Sequence, residues 1–245
     1  MNMAATRTLS AEQTETFNVE YVNDDLWVHM EPALARYLSK PSNFLDVGGG
    51  NGMYVDRITE AFPQAVGTNV EPAANLVDSN RPHPRKRLIN APYQGIDFEA
   101  EAGRYDVVCF NWVLHHFVSD SYAQTVACQT DALASAAKLL KPGGALLILE
   151  NLYNGIQIDN LPSRLIYGLT ASRALRAVTN QLGANTAGTG VCFHSGAAWE
   201  RILGNAGFDR IERQTCYRYG ELSPLKRAAL HMRQSEVALI VAEKS

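Results

Sequence analysis

The stretch Asp46-Val-Gly-Gly-Gly-Asn-Gly52 decides how this chain is read. It follows the apolar run Phe44-Leu-Asp-Val47 and precedes the helical segment Tyr54 to Phe62, so it stands at a strand-to-helix turn. Glycines at such a turn let the backbone approach a ligand closely, and the free N–H groups at the start of the following helix suit a nucleotide-like group. Two details separate the ligands that would fit. A G-x-G-x-x-G count from Gly48 and Gly50 puts the third glycine position at Met53, so the dinucleotide fingerprint is incomplete. A carboxylate at Asp46, just before the glycines, would repel a pyrophosphate but suits a ligand that carries an ammonium and a sulfonium.

Outward from this turn, short apolar runs alternate with helical segments. The runs are 44–48, 65–70, 87–91, 105–110 and 145–150, and alternation of this kind predicts a parallel sheet wound with helices on both faces. Before it, Leu9 to Ser39 carries apolar residues such as Phe17, Tyr21, Trp27, Met30, Leu34 and Leu38 at intervals of three to four, which predicts one or two amphipathic helices as an N-terminal cap over 1–42. Ser119 to Leu140 reads as an alanine-rich helix that stops at Lys141-Pro-Gly-Gly144. About 151–194 shows no strand alternation, reads as helical from Leu161 to Leu182, and predicts a lid inserted after the fifth strand. A helix over Ser195 to Ala206 and two strands, Arg210 to Arg218 and Glu236 to Glu243, complete a single domain over 43–245.

Composition agrees with a chain able to bury a core: 245 residues, 46% hydrophobic and 19% charged. A net charge of -3, with its cations dispersed, gives no footprint for gripping nucleic acid. The basic run Arg81-Pro-His-Pro-Arg-Lys-Arg87 reads as a solvated loop because of its two prolines. The polar first twenty residues, and the lack of any apolar stretch near the ~20 residues that span a bilayer, lead to the expectation of a cytoplasmic protein with no membrane partner. Cys109, Cys128, Cys192 and Cys216 lack metal-ligand spacing, so no metal is expected.

The motif Asp46, Gly48, Gly50, Gly52 resembles the D-x-G-x-G-x-G element of the class I S-adenosylmethionine (SAM)-dependent methyltransferases. Further matches are Tyr105-Asp-Val-Val108 leading into Val113-Leu-His-His-Phe117, the turn Leu140-Lys-Pro-Gly-Gly144, and Ala206-Gly-Phe208, so the resemblance runs from about Asn43 to the C-terminus. It implies a Rossmann-like, doubly wound, mostly parallel seven-stranded α/β sheet ending in an antiparallel hairpin. It also implies SAM as cofactor, with S-adenosylhomocysteine as product. In the family an acid ends the second strand and binds the ribose; here that position is Asn69, with Glu71 two residues on as a substitute. The acid expected after the third strand is missing near Ala91-Pro-Tyr-Gln94, where Tyr93 is read as stacking on the base, offering a backbone N–H, or simply packing. Around Phe110 to Trp112, with Asn111, the backbone would line the methionine end of the cofactor. Asn111-Trp-Val-Leu114 replaces the [DN]-P-P-[YF] element common in enzymes that methylate nucleobase amino groups, which removes the usual clamp on a flipped base.

A hydroxyl nucleophile gains from losing its proton as it attacks, and imidazole titrates near working pH. His115 is the chosen base, Glu150 at the end of the fifth strand its orienting partner, and His194 a third histidine where the insertion returns. His116 is the other candidate base; it stands where the resemblance places a histidine whatever the substrate, and reads more as holding the loop than as catalytic. Tyr21, Trp27, Ile158, Leu161, Tyr167, Phe193 and His194 are the expected substrate contacts, collectively suited to a closed pocket for a small apolar or aromatic acceptor. The expectation is methyl transfer to a small-molecule hydroxyl in secondary metabolism, with a homodimer allowed. Rival readings are an N- or C-methyltransferase, a non-methylating SAM-dependent cyclase, a SAM-fold binding protein without activity and, more remotely, a nicotinamide enzyme.

Overall fold

The computed structural model describes residues 6–7, 22–174, 176–177, 186, 188–220 and 223–244. Helix α1 (Asp24–Leu38) begins where the Asn23 side chain accepts the Leu26 N–H at 3.2 Å, and it buries Leu26, Met30, Ala33, Leu34 and Leu38 along one stripe. The part of the expected cap before Val22, including Phe17 and Tyr21, lies outside the described residues apart from positions 6–7. The core elements follow in order: β1 (Ser42–Val47), α2 (Met53–Ala61), β2 (Ala65–Val70), α3 (Ala74–Asp78), β3 (Lys86–Ile89), β4 (Tyr105–Asn111), α4 (Tyr122–Leu139) and β5 (Leu140–Gly155). After them come α5 (Leu161–Ala171), α6 (Gly196–Asn205), β6 (Arg210–Arg218), α7 (Pro224–Ala229) and β7 (Met232–Glu243).

The sheet has seven strands in the order β3-β2-β1-β4-β5-β7-β6, with β7 antiparallel to both of its neighbours. This is the Rossmann-like, mostly parallel arrangement with a closing antiparallel pair. One face packs on α1 and α2 through Phe44, Val107, Leu147, Leu149 and Leu239, and the other on α4 and α6 through Val108, Phe110, Ile148, Leu133 and Trp199. Strand order reverses between β1 and β4, and a ligand crevice opens at the carboxyl ends of strands flanking such a reversal. Register sets Asp46 of β1 level with Asn69 of β2 and Cys109 of β4 at that point.

Three expectations need correction. The fifth strand does not end at Glu150: β7 runs antiparallel beside it and pairs Asn151 to Val237 and Gly155 to Met232, so the insertion starts later. The Lys141-Pro-Gly-Gly144 turn lies inside β5 as a register shift opposite Tyr105 and Val107, with Gly143 at φ +75° and Lys141 Nζ 2.6 Å from Asp106. In the insertion, α5 ends at Ala171 with Ser172 extended, so the helix over Leu161 to Leu182 is interrupted there; residues 178–182 lie outside the described set. The chain returns at His194, which forms a parallel bridge to Leu152. Among the described residues no helix is long and apolar enough to cross a membrane.

Packing between β2 and α2 is tight at Gly67, where an added Cβ would lie 2.5 Å from both Phe44 Cζ and Val55 Cγ1. Gly67→Ala is expected to destabilise the fold by about 1–3 kcal/mol through overpacking. Urea unfolding midpoints check this, and an unchanged midpoint would mean that the β2–α2 contact is looser than described.

Candidate active site

Three glycines of the turn after β1, Gly48, Gly50 and Gly52, adopt φ of +68°, +52° and +75°. Gly49 is needed for a different reason: its Cβ would lie 2.2 Å from Asn69 Oδ1 and 2.3 Å from Asp46 Oδ2. The turn thus folds directly over the carboxyl ends of β1 and β2. Asp46, 1% exposed, accepts one hydrogen bond from Asn111 Nδ2 at 3.3 Å. Asn69 Nδ2 and Asn80 Nδ2 both donate to the Gly50 carbonyl at 3.2 Å, while Glu71 accepts the Gly50 N–H at 3.1 Å and the Ala73 N–H at 2.8 Å. Glu71 therefore ties the turn, through one oxygen, to Ala73 before α3, through the other, and the Asn69 amide oxygen lies against Gly49.

A shared feature of this cradle is what its side chains lack. Asp46 Oδ2, Asn69 Oδ1, Asn80 Oδ1 and Asn111 Oδ1 are buried acceptors with no hydrogen-bond partner. Buried polar atoms are normally paired, so four unmet acceptors around one turn fit a ligand rich in N–H and O–H groups and positive charge, as an aminoacyl ammonium and a ribose diol provide. A pyrophosphate offers none of these. Burial pushes the Asp46 carboxyl up to about 8, Asn111 opposes that shift, and the nearby Glu71 adds to it. Tyr54, in the first turn of α2, is buried beside Cys109, Asp46 and Asn111. Neither Tyr54 nor Asn80 was singled out in the sequence, although Tyr54 lies only two positions beyond the last glycine.

Tyr93 is core. Its ring packs among Phe98, Phe110 and Phe117 and its hydroxyl donates to the Ala132 carbonyl of α4 at 3.1 Å, so the side chain cannot stack on a base and only its backbone faces that role. Trp112 follows β4 with φ +50°, an uncommon state for a bulky residue, held by its N–H to the Leu149 carbonyl at 2.8 Å and its indole N–H to Asn151 Oδ1 at 3.1 Å.

Just beyond, a 3₁₀ turn over Leu114–His116 presents His115. Its Nδ1 lies 2.8 and 3.0 Å from the two oxygens of Glu150, a side chain with no exposure at all. Glu150 also accepts the Asn151 N–H at 3.1 Å. With Nδ1–H donated to a carboxylate, Nε2 is left as the proton acceptor, and no described residue bonds to it. Phe193 stacks on the His115 ring at 4.4 Å, and His116 lies 4.1 Å from it on another side. Burial, and then the neighbouring His115, hold His116 well below the ordinary imidazole range, which keeps it neutral.

His194 has a different place. Nε2 donates to Gln129 Oε1 at 2.8 Å, while Nδ1 receives Asn160 Nδ2 at 3.1 Å and Ser163 Oγ at 3.2 Å, and burial pushes its pKa down to about 3. Both nitrogens are committed, so it frames the site rather than serving as a base. Gln129 completes that frame: its Nε2 donates at 3.0 Å to the carbonyls of Leu114 and Cys192, the residues before His115 and Phe193. Of the expected substrate contacts, Phe193 reaches the histidine. Tyr167 is buried, donating to the Ser119 carbonyl at 3.0 Å, and Ile158 is 62% exposed. Leu161 is half-buried at the start of α5, and Trp27 packs on Tyr54 and under the Arg57 guanidinium, away from the insertion. Tyr21 lies outside the described residues. Among the described residues no group of three His, Cys, Asp or Glu is placed to hold a metal ion.

A family model described as a methyltransferase domain matches residues 24–213. No curated protein matches the sequence. Among solved structures the fold is similar to phosphoethanolamine N-methyltransferase 2 of Haemonchus contortus in complex with phosphomonomethylethanolamine and S-adenosylhomocysteine, at 15% identity over 97% of this chain and 60% of that one, TM-score 0.61. It is also similar to an O-methyltransferase family protein from Burkholderia thailandensis, at 18% identity over 95% and 59%, TM-score 0.52. A third is an arsenic(III) S-adenosylmethionine methyltransferase from Chlamydomonas reinhardtii, at 14% identity over 85% and 65%, TM-score 0.58. At these identities the likeness is one of fold, and this chain spans about 60% of the length of the first two structures.

The raised Asp46 carboxyl has a consequence for stability. The folded chain holds this proton more tightly than the unfolded one, so its contribution is fully present below the unfolded pKa near 4 and is lost as pH rises through about 8. Ligand-free protein is expected to lose stability relative to Asp46→Asn across that window, by at most about 1.4 kcal/mol per pH unit. Urea unfolding at pH 5, 7 and 9 measures the difference; parallel profiles would show that Asp46 is already ionised in the folded state.

Proposed function

Because the chain belongs to the methyltransferase-domain family, we propose that it transfers the methyl group of SAM to a hydroxyl oxygen of a small-molecule acceptor. SAM supplies, when bound, an electrophilic methyl group on a sulfonium that leaves as neutral S-adenosylhomocysteine. Asp46, Asn69 and Asn111 are the residues to hold it, their unmet acceptor atoms matching its ammonium and hydroxyl groups, with the turn from Gly48 to Gly52 giving close backbone contact.

The observation that carries the hydroxyl assignment is the His115–Glu150 pair at 2.8 Å. Glu150 fixes the imidazole so that Nε2 receives the acceptor's hydroxyl proton, and its buried charge stabilises the imidazolium that results. His116 stays neutral beside it and so does not oppose that charge. Phe193, half-buried against the His115 ring, excludes water from one side, and half-buried Trp112 lines the path from the cofactor cradle. The aromatic lining suits a planar acceptor of the kind found in secondary metabolism. An amine acceptor is the second reading: a buried carboxylate beside aromatic rings also suits a cationic amine, and such a nucleophile needs little help from a base.

Two measurements test this. Calorimetric titration with SAM, S-adenosylhomocysteine and NADH is expected to show adenosyl-ligand binding that Asp46→Ala abolishes, with no NADH binding; the reverse pattern would overturn the cofactor assignment. His115→Ala is expected to lower turnover of a hydroxyl acceptor by about 10²–10⁴-fold at unchanged SAM affinity. Retained turnover in that variant would sink the general-base role and favour the amine.

A further inference from the structure

Beyond Glu150 the extended β5 carries Tyr153 into the same crevice. Tyr153 meets Phe193 edge-on at 5.1 Å, and Phe193 in turn stacks on the catalytic His115. On its other side the Tyr219 hydroxyl donates to the Tyr153 hydroxyl at 3.0 Å. A phenol has one proton to give, so with Tyr219 supplying the bond between them, the Tyr153 proton is free, and no described residue accepts it. Both tyrosines are half-buried, at the carboxyl edge of the sheet where the cofactor cradle and His115 also open. Around Tyr153, Phe193 presents ring surface, and the Ser235 hydroxyl is already used on the Tyr219 carbonyl.

Resting on the methyl-transfer reading above, we propose that Tyr153, oriented by Tyr219, is the specificity-determining residue for the acceptor, which is an uncharged hydroxyarene bearing a carbonyl oxygen. The acceptor's hydroxyl goes to His115 Nε2 and its ring lies along Phe193. Its carbonyl oxygen takes the free Tyr153 proton. The neutrality of the acceptor follows from the charge near this phenol. Burial, with the charge of Glu150 nearby, pushes the Tyr153 phenol above its ordinary range, so it is a donor at working pH. The same carboxylate would repel an anionic group bound at Tyr153, which favours a ketone or aldehyde over a carboxylate.

The test uses the protein loaded with S-adenosylhomocysteine and titrated with 2-, 3- and 4-hydroxyacetophenone, each against the ethylphenol that lacks only the carbonyl oxygen. At least one ketone is expected to bind roughly tenfold more tightly than its ethylphenol, and Tyr153→Phe to remove that difference while leaving ethylphenol and S-adenosylhomocysteine affinities within twofold. Tyr219→Phe, which keeps Tyr153 but removes the group that orients it, is expected to weaken ketone binding partway. The second variant also covers the case in which Tyr153→Phe fails to fold. Equal binding of ketone and ethylphenol, or no binding of either class while S-adenosylhomocysteine still binds, overturns the specificity proposal alone. Loss of S-adenosylhomocysteine binding in the unmodified protein would instead overturn the cofactor assignment beneath it.

Discussion

The structure turns on a carboxyl group buried with too few partners. Asp46 lies at the point where the strand order reverses, 1% exposed, with one oxygen bonded to Asn111 and the other bonded to nothing. Keeping it there requires that no side chain fill the space above it. That requirement is visible at Gly49, where a single added carbon would collide with both Asp46 and Asn69, and at Gly48, where it would press to 2.6 Å from Val113. The buried acceptors gathered around the turn cost free energy in isolation. Such a grouping is stable only because the sheet beneath is anchored by two packed faces, and it makes the cradle a place where ligand binding and folding are linked.

The second half of the site is assembled by a different device. His115 sits on a short 3₁₀ turn and Phe193 on a returning loop, neither of which is rigid by itself. Gln129, buried in α4, grips the backbone immediately before each of them, and the Cys192 N–H bonds to the His115 carbonyl at 2.9 Å. His194 closes the same network from the insertion side through Asn160 and Ser163. The amino-terminal segment joins this region too: Arg7 reaches the carbonyls of Ala171 and Thr189, and its backbone N–H bonds to Val118. Precision at the histidine comes from this polar framing.

The parallel sheet and its first turn were legible in the sequence because apolar runs, spaced glycines and a preceding aspartate are local signals. β6 was read at its observed limits from its own residues. The far end of β5 was not, since Asn151-Leu-Tyr-Asn-Gly155 lacks a regular apolar–polar alternation and is held as strand by β7, some eighty residues later in the chain. Sequence named His115 and Glu150 as partners, as their strands are neighbours. It had no means to separate His194 from a base, or Tyr93 from a base-stacking residue, because what distinguishes them is long-range: Gln129 and Asn160 for the one, three phenylalanines and a carbonyl of α4 for the other. Tyr153 and Tyr219 escaped notice for the same reason, being 66 positions apart and joined only through their hydroxyls and an edge-on ring contact.

β5 is shared between two neighbourhoods of unequal reach. On one side β4 accompanies it only as far as Leu149; on the other β7 continues to Gly155. The last stretch of β5 therefore has a bare flank, and the returning chain covers it with a single bridge from His194 to Leu152. The described part of that excursion is held between its ends as well: the Ile156 N–H bonds to the His231 carbonyl, and the Tyr167 hydroxyl to the Ser119 carbonyl. Exchanging that excursion would leave the strands under Asp46 in place but would take Asn160 and Ser163 from His194, so its cost would fall on the histidine side of the crevice and not on the glycine turn.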